Sequence, residues 1–245
     1  MKKLSFVLGA IVGALFIVGM SCKSDKGGNQ KSESTIGKIV DMVGETVNTS
    51  VEGNGKTIEK SFDLKDFTSV SLSAGADMEL TQGETFSVQY IGEENFLEYL
   101  VLKVKNNELE IYNKEGFWMK RQKPMKFKVT MPYIKSISLS SSGTIKAMNS
   151  FQTKDIEVNI GGSGEIIMKG ETQSAEINIG GSGTVKMYDM PTKKAEVNIG
   201  GSGDCYMTVS DKLEVNVAGS GDVHYKGNPS IEKNIVGSGE VTKEN

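Results

Sequence analysis

Five glutamates recur along the C-terminal half of the chain, Glu157, Glu176, Glu196, Glu214 and Glu232. Each is followed two residues later by an asparagine: Asn159, Asn178, Asn198, Asn216 and Asn234. A carboxylate and an amide repeated in this way can attract cations, hold a basic partner or hydrogen-bond a sugar chain. These ten residues are the candidate binding face. Other reactive side chains are scarce. The 245 residues hold 1 His and 2 Cys, which excludes a His-rich zinc site and leaves little for a Ser-His-Asp triad. His224 reads as a solvated side chain with no partner in register. Cys205 reads as a small buried hydrophobe, because Val and Ile fill its equivalents elsewhere. Asp204 and Asp222 follow glycine-rich turns and superficially suggest calcium repeats. The period, about 19 residues, does not fit a nonapeptide repeat, and Thr184 replaces the acid in one unit. No catalytic residue, metal or cofactor is expected.

The elements that must position this face are legible as a repeat. Gly-Ser-Gly occurs at 162–164, 181–183, 201–203, 219–221 and 237–239, with a Ser-Ser-Gly variant at 141–143. Successive final glycines are 21, 19, 20, 18 and 18 residues apart. Ahead of each turn the pattern is apolar, Glu, apolar, Asn, apolar, as in Ile156-Glu-Val-Asn-Ile160. Only Lys233 breaks the middle apolar column. After the turn comes a second alternating stretch, with Ile145, Ile166, Val185, Cys205, Val223 and Val241 in one inward column. Lys146, Lys186, Tyr206 and His224 lie outward beside them. Period-2 alternation is the mark of a half-buried strand. Each unit of about 18–21 residues is therefore strand, turn, strand, connection.

A lone unit cannot bury its apolar face, whereas stacked units share one core. Stacking places like residues about 4.8 Å apart and lets Asn amides bond along the column. The expected fold is all-β, a β-helix-like solenoid of short two-strand coils. An antiparallel β-meander with GGSG hairpins is the alternative. Neighbouring glutamates would then repel by about 0.9 kcal/mol per pair in water, before salt and splaying reduce it. Lys194 and Lys212 lie close enough in sequence to offset part of this. Such a stripe either binds cations or a basic partner, or is a solvated face kept acidic against edge association.

Residues 56–135 repeat less plainly. Strands are expected at 57–62, 69–72, 77–81, 86–91, 100–105, 108–113 and 126–131. The stretch from Val70 to Leu80 echoes the one from Ile137 to Ala147, so this half reads as early coils carrying longer excursions. Trp118 reads as a cap on one end of the column, with core packing as the alternative, preferred to a ligand platform.

The N-terminus reads as an address. Lys2 and Lys3 precede an apolar run from Leu4 to Met20, the pattern of a signal peptide over residues 1–21. Val18-Gly-Met-Ser-Cys22 resembles the lipobox of bacterial lipoproteins, departing from it at Gly19, where Leu is common. Cys22 is then the lipidated residue and membrane anchor. Removing Lys2 and Lys3 with the leader takes the net charge from −3 to −5, which argues against a nucleic-acid partner. Lys23 after the cysteine resembles lipoproteins sent to the outer membrane. Which side the protein faces is not fixed by the sequence. Residues 22–55 follow as anchor, polar tether and a segment from Ile36 to Val47 with helical spacing that also suits a strand. The β domain occupies 56–245, regular from 136 onward.

The Gly53-Asn-Gly-Lys56 opening, Ser73-Ala-Gly-Ala-Asp-Met-Glu-Leu-Thr-Gln-Gly83, Leu109-Glu-Ile-Tyr112 and the NIGGSG repeats resemble one family. It is the DUF2807 family, the auto-transporter adhesin "head GIN" domains common in Bacteroidetes lipoproteins, and the resemblance spans roughly 57–243. It implies a right-handed β-helix-like fold and carries over no ligand residues. The reading is a lipid-anchored, non-catalytic envelope protein that binds a glycan or an envelope or matrix protein along a solenoid face. The alternatives are a structural envelope protein with no soluble ligand, or a polysaccharide-active β-helix enzyme. The last needs convergent acids that the regular units do not offer.

Overall fold

The computed structural model describes residues 49–245. The leader, Cys22 and the segment from Ile36 to Val47 lie outside these residues. In chain order the first strands are β1 (Thr49–Glu52), β2 (Thr57–Phe62), β3 (Ser69–Leu72), β4 (Asp77–Gln82) and β5 (Ser87–Glu93). A 3-10 turn, Glu94–Tyr99, leads to β6 (Leu100–Lys105), β7 (Glu108–Asn113), β8 (Phe117–Lys120) and β9 (Lys126–Met131). The regular part comprises β10 (Ser136–Leu139), β11 (Thr144–Ala147), β12 (Phe151–Gln152), β13 (Asp155–Ile160), β14 (Glu165–Ile167) and β15 (Gly170–Ile179). It continues through β16 (Thr184–Ile199), β17 (Asp204–Gly219), β18 (Val223–Lys226), β19 (Ser230–Gly237) and β20 (Val241–Lys243). Among the described residues strand accounts for 63% and helix for 3%, and the sheet is a β-solenoid of about 5 turns.

Parallel pairing decides between the two expected folds. On one wall β7, β3, β10, β13, β15, β16, β17 and β19 follow one another in parallel register. Val70 pairs with Ile137, Ile137 with Val158, Val158 with Ile177, Ile177 with Val197 and Val197 with Val215. A second wall stacks β9, β4, β11, β14, β16, β17, β18 and β20. Strands β16 and β17, of 16 residues each, turn a corner and serve both walls. A short third wall begins where β12 pairs with the start of β15. The meander is thereby ruled out, since a meander pairs consecutive strands antiparallel. The GGSG segments are stacked corners, not hairpins: Ser182 N donates to Gly162 O at 3.1 Å and Ser202 N to Gly181 O at 3.0 Å.

The core is what the alternation demands. Val158, Ile177, Val197 and Val215 line one wall from inside, and Ile166, Val185, Cys205 and Val223 the other, all at 0% exposure. Burying each such side chain contributes about 1.5–3 kcal/mol. Cys205 is the packing residue that its column implied.

The excursions expected in the N-terminal half are present. β3 and β4 form a coil in register with β10 and β11, pairing Leu72 with Leu139 and Met78 with Ile145. The intervening chain folds back on the other side, where β7 joins β3 and β9 joins β4. Antiparallel pairs β2–β5, β5–β9 and β6–β7 complete this end. Glu93 stitches it together. Its buried carboxylate accepts from Gly55 N at 2.7 Å, Gln122 N at 2.9 Å and Lys123 N at 3.2 Å.

Trp118 departs from expectation. β1, within the segment read as anchor and tether, pairs with β8 as a separate two-stranded parallel ribbon, Ser50 opposite Trp118. Alternation along β8 turns Met119 toward the core and leaves Phe117 on Tyr99, ring centroids 4.8 Å apart. Trp118 takes the opposite face and is 67% exposed, so it neither packs in the core nor caps the column.

Candidate ligand-binding groove beside the glutamate ladder

Strand alternation sends Glu and Asn outward on the first wall, and the register makes each a continuous column. Glu157 pairs with Glu176, Glu176 with Glu196, Glu196 with Glu214 and Glu214 with Glu232. The asparagines do likewise, and their amides bond along the stack. Nδ2 of Asn178, Asn198 and Asn216 donates to Oδ1 of the preceding Asn at 3.1, 3.0 and 3.0 Å. The second hydrogen of the amide steadies a carboxylate in three coils: Asn159 donates to Glu157, Asn178 to Glu176 and Asn198 to Glu196, at 2.9–3.2 Å. In the next coil Lys212 takes over. Its Nζ lies 3.0 Å from Glu214 and 3.5 Å from Glu232. The hydrogen bond and charge of Glu214, with Glu232 behind it, hold this ammonium above the ordinary lysine range. Lys194, expected to do the same, makes no ion pair among the described residues.

These pairings divide the labour. Asparagine amides are largely committed to each other and to the glutamates, so they act as a spine. The carboxylates keep acceptor capacity toward solvent.

Beside the Glu column runs an open trough of about 1120 Å³. Glu157, Glu176, Glu196 and Glu214 form one side, and Lys135, Lys154, Lys194 and Lys212 contribute cations to the same lining. Ala175 and Ala195 keep the floor shallow, and Tyr133, largely exposed, stands among its lining residues. Sequence reasoning identified the glutamates, Lys194 and Lys212 but missed the trough, because Tyr133, Lys135 and Lys154 sit in connections outside the alternating columns. On the far side of the Asn spine lies a smaller trough of about 380 Å³, floored by Gly180, Gly200 and Ala218.

The other singled-out residues are placed as follows. His224 is not solitary: its ring stacks on Tyr206 with centroids 4.8 Å apart and an interplanar angle of 6°. Its Nδ1 lies 3.0 Å from Glu244 Oε1. Tyr188 meets Tyr206 edge-on at 5.7 Å, and Lys226 lies over Tyr188 at 5.1 Å. Burial, with Asp204 adding to it, pushes the Cys205 thiol up to about 12, so it stays protonated and unreactive. Asp204 and Asp222 are used by the backbone: each Oδ1 accepts from the corresponding N–H one coil on, Asp222 N at 3.3 Å and Glu240 N at 2.8 Å. Among the described residues no three His, Cys, Asp or Glu side chains converge on a metal position. None of their helices is long and apolar enough to cross a membrane.

A family profile described as "Putative auto-transporter adhesin, head GIN domain" (DUF2807) matches residues 66–229. The chain belongs to the DUF2807 family. A crystal structure of a "putative adhesin" from Bacteroides fragilis is similar at TM-score 0.65 and 22% identity, covering 79% of this chain and 100% of that one. One of a "Putative lipid binding protein" from Parabacteroides distasonis is similar at TM-score 0.53 and 25% identity, covering 80% and 100%. No curated protein matches the chain. The family description agrees with an adhesin-like reading, and the neighbours agree with the all-β fold.

Proposed function

We propose that this DUF2807 protein is a lipid-anchored, non-catalytic component of the cell envelope, held at the outer membrane through Cys22. It binds an extended glycan, or an extended segment of an envelope or matrix protein, along the trough beside the glutamate ladder. The observation that carries this reading is the trough itself. It spans several coils, is open along its length, and offers carboxylates and ammonium groups in repeat, which suits a polymer more than a small enclosed ligand. The adhesin description shared by the family and the Bacteroides neighbour supports the class.

The test is a screen of the full chain against arrayed polysaccharides and extracellular-matrix proteins, repeated with Lys194→Gln/Lys212→Gln and with Glu176→Gln/Glu196→Gln. Binding that falls at least tenfold in both variants, with unchanged melting temperature and no sugar release from any captured polysaccharide, is the expected result. Binding indifferent to both pairs would move the ligand elsewhere, and sugar release would make the protein an enzyme.

One observation favours the second reading, a structural envelope protein with no soluble ligand. Lys212 and the asparagines already satisfy part of the ladder from within. An array with no captured ligand would select it.

A further inference from the structure

The chain has a single tryptophan and a single arginine, and they stand three residues apart, at Trp118 and Arg121. Trp118 is 67% exposed on β8. Residues 114–123 carry Lys114, Lys120, Arg121 and Lys123, all exposed, against the one carboxylate of Glu115, in a protein whose net charge is −3. Lys120 pairs with Glu52 across the ribbon at 3.2 Å, and the Arg121 guanidinium donates to the Gly75 carbonyl. Lys114 and Lys123 make no ion pair among the described residues. The position of the ribbon matters as much as its composition. β1 is the first described strand, and Thr49 and Ser50 lie opposite Phe117 and Trp118. The described chain therefore starts beside this tryptophan.

We propose that the β1–β8 ribbon is a membrane-docking surface, in which Trp118 enters the headgroup region and the flanking cations meet anionic lipid. Indole suits the boundary between headgroups and acyl chains, and Lys and Arg side chains are drawn to an anionic surface. Arg121 adds planar donors matched to a phosphate. An exposed tryptophan gains little in water, and a second attachment beside a tethered anchor needs only weak affinity because its effective concentration is high. Docking would hold the solenoid in a defined orientation to the bilayer. The inference rests on the anchoring reading for which surface is nearest, and not on the trough.

Because Trp118 is the only tryptophan, its fluorescence reports this site alone. The anchored chain is incorporated into vesicles of phosphatidylethanolamine and phosphatidylglycerol, and separately into phosphatidylcholine vesicles, each with and without brominated acyl chains. Flotation is measured on the same samples. The expected result is flotation in both, with blue-shifted emission, at least twofold protection from acrylamide and quenching by brominated lipid in the anionic vesicles. These changes shrink in phosphatidylcholine and in Lys114→Gln/Arg121→Gln. Flotation with emission unchanged from that of a water-exposed tryptophan in both compositions overturns docking and leaves the anchor standing. Failure to float overturns the anchor, and docking with it.

Discussion

A Cβ added to Gly200 would lie 3.9 Å from its nearest neighbour, the Ile179 carbonyl oxygen, whereas one added to Gly201 would sit 2.3 Å from the Gly181 carbonyl oxygen. The two glycines of one GGSG corner are therefore there for different reasons. Gly201 is required because corner backbones pack directly on one another. Gly200 has room for a side chain and leaves the floor of the smaller trough bare. Gly200→Ala should be neutral or stabilise by about 0.5–1 kcal/mol, since glycine loses more conformational entropy on folding than alanine. Gly201→Ala should destabilise by about 1–3 kcal/mol through overpacking. Chemical denaturation of the two variants checks the contrast, and equal effects would contradict the packing argument. Not every residue-scale feature was beyond the sequence. Tyr206 and His224 occupy one outward column in consecutive units, so their stacking was implied once the units were known to stack in parallel. Glu244, twenty residues on at the chain end, carried no comparable signal.

At the scale of elements, alternation located the strands well: β2, β3, β6, β7 and β9 run where the sequence places them, and β4 and β5 differ only at their ends. What alternation does not encode is which strands meet. The return of β7 and β9 onto β3 and β4 is set by tertiary packing, and so is the exposure of Trp118, since a lone aromatic reads alike whether its strand lies in the body or in a ribbon. Glu93 joins β5 to the loops at Gly55 and Gln122–Lys123 and carries a testable pH dependence. Burial pushes its carboxyl up, but the three backbone N–H groups and the Lys123 charge outweigh this and leave it below the ordinary value of 4.5. A folded-state value below the unfolded one means that the unfolded chain binds more protons between the two. The contribution is full above pH 4.5 and is lost as pH falls through the lower folded value. Glu93→Gln should therefore lower the melting temperature at neutral pH, and the gap to the parent chain should narrow below the ordinary carboxylate range. A gap constant with pH would place the effect in packing instead.

At the scale of the whole molecule, a stack of parallel strands has an end, and that end is an open ladder of backbone donors and acceptors. In the final coil Ile231, Lys233 and Ile235 stand in the register of Leu213, Val215 and Val217, while Val236 is 68% exposed. The break in the middle apolar column thus falls at the last strand of the wall. A charge in the inward column of an edge strand opposes addition of another strand, which explains an irregularity that the repeat alone left unaccounted for. Lys233→Val should raise the sedimentation coefficient relative to the parent chain in a concentration-dependent manner. An unchanged value would assign termination to another feature.

The asparagine spine has a further consequence. Each bonded amide from Asn178 to Asn216 points its N–H toward the N-terminal coils and its carbonyl toward the C-terminal ones. Their dipoles add rather than cancel, as peptide dipoles do along a helix. A column built from near-identical units is therefore a vector. Two copies stacked in opposite senses would set these dipoles against each other, whereas copies stacked in the same sense would align them.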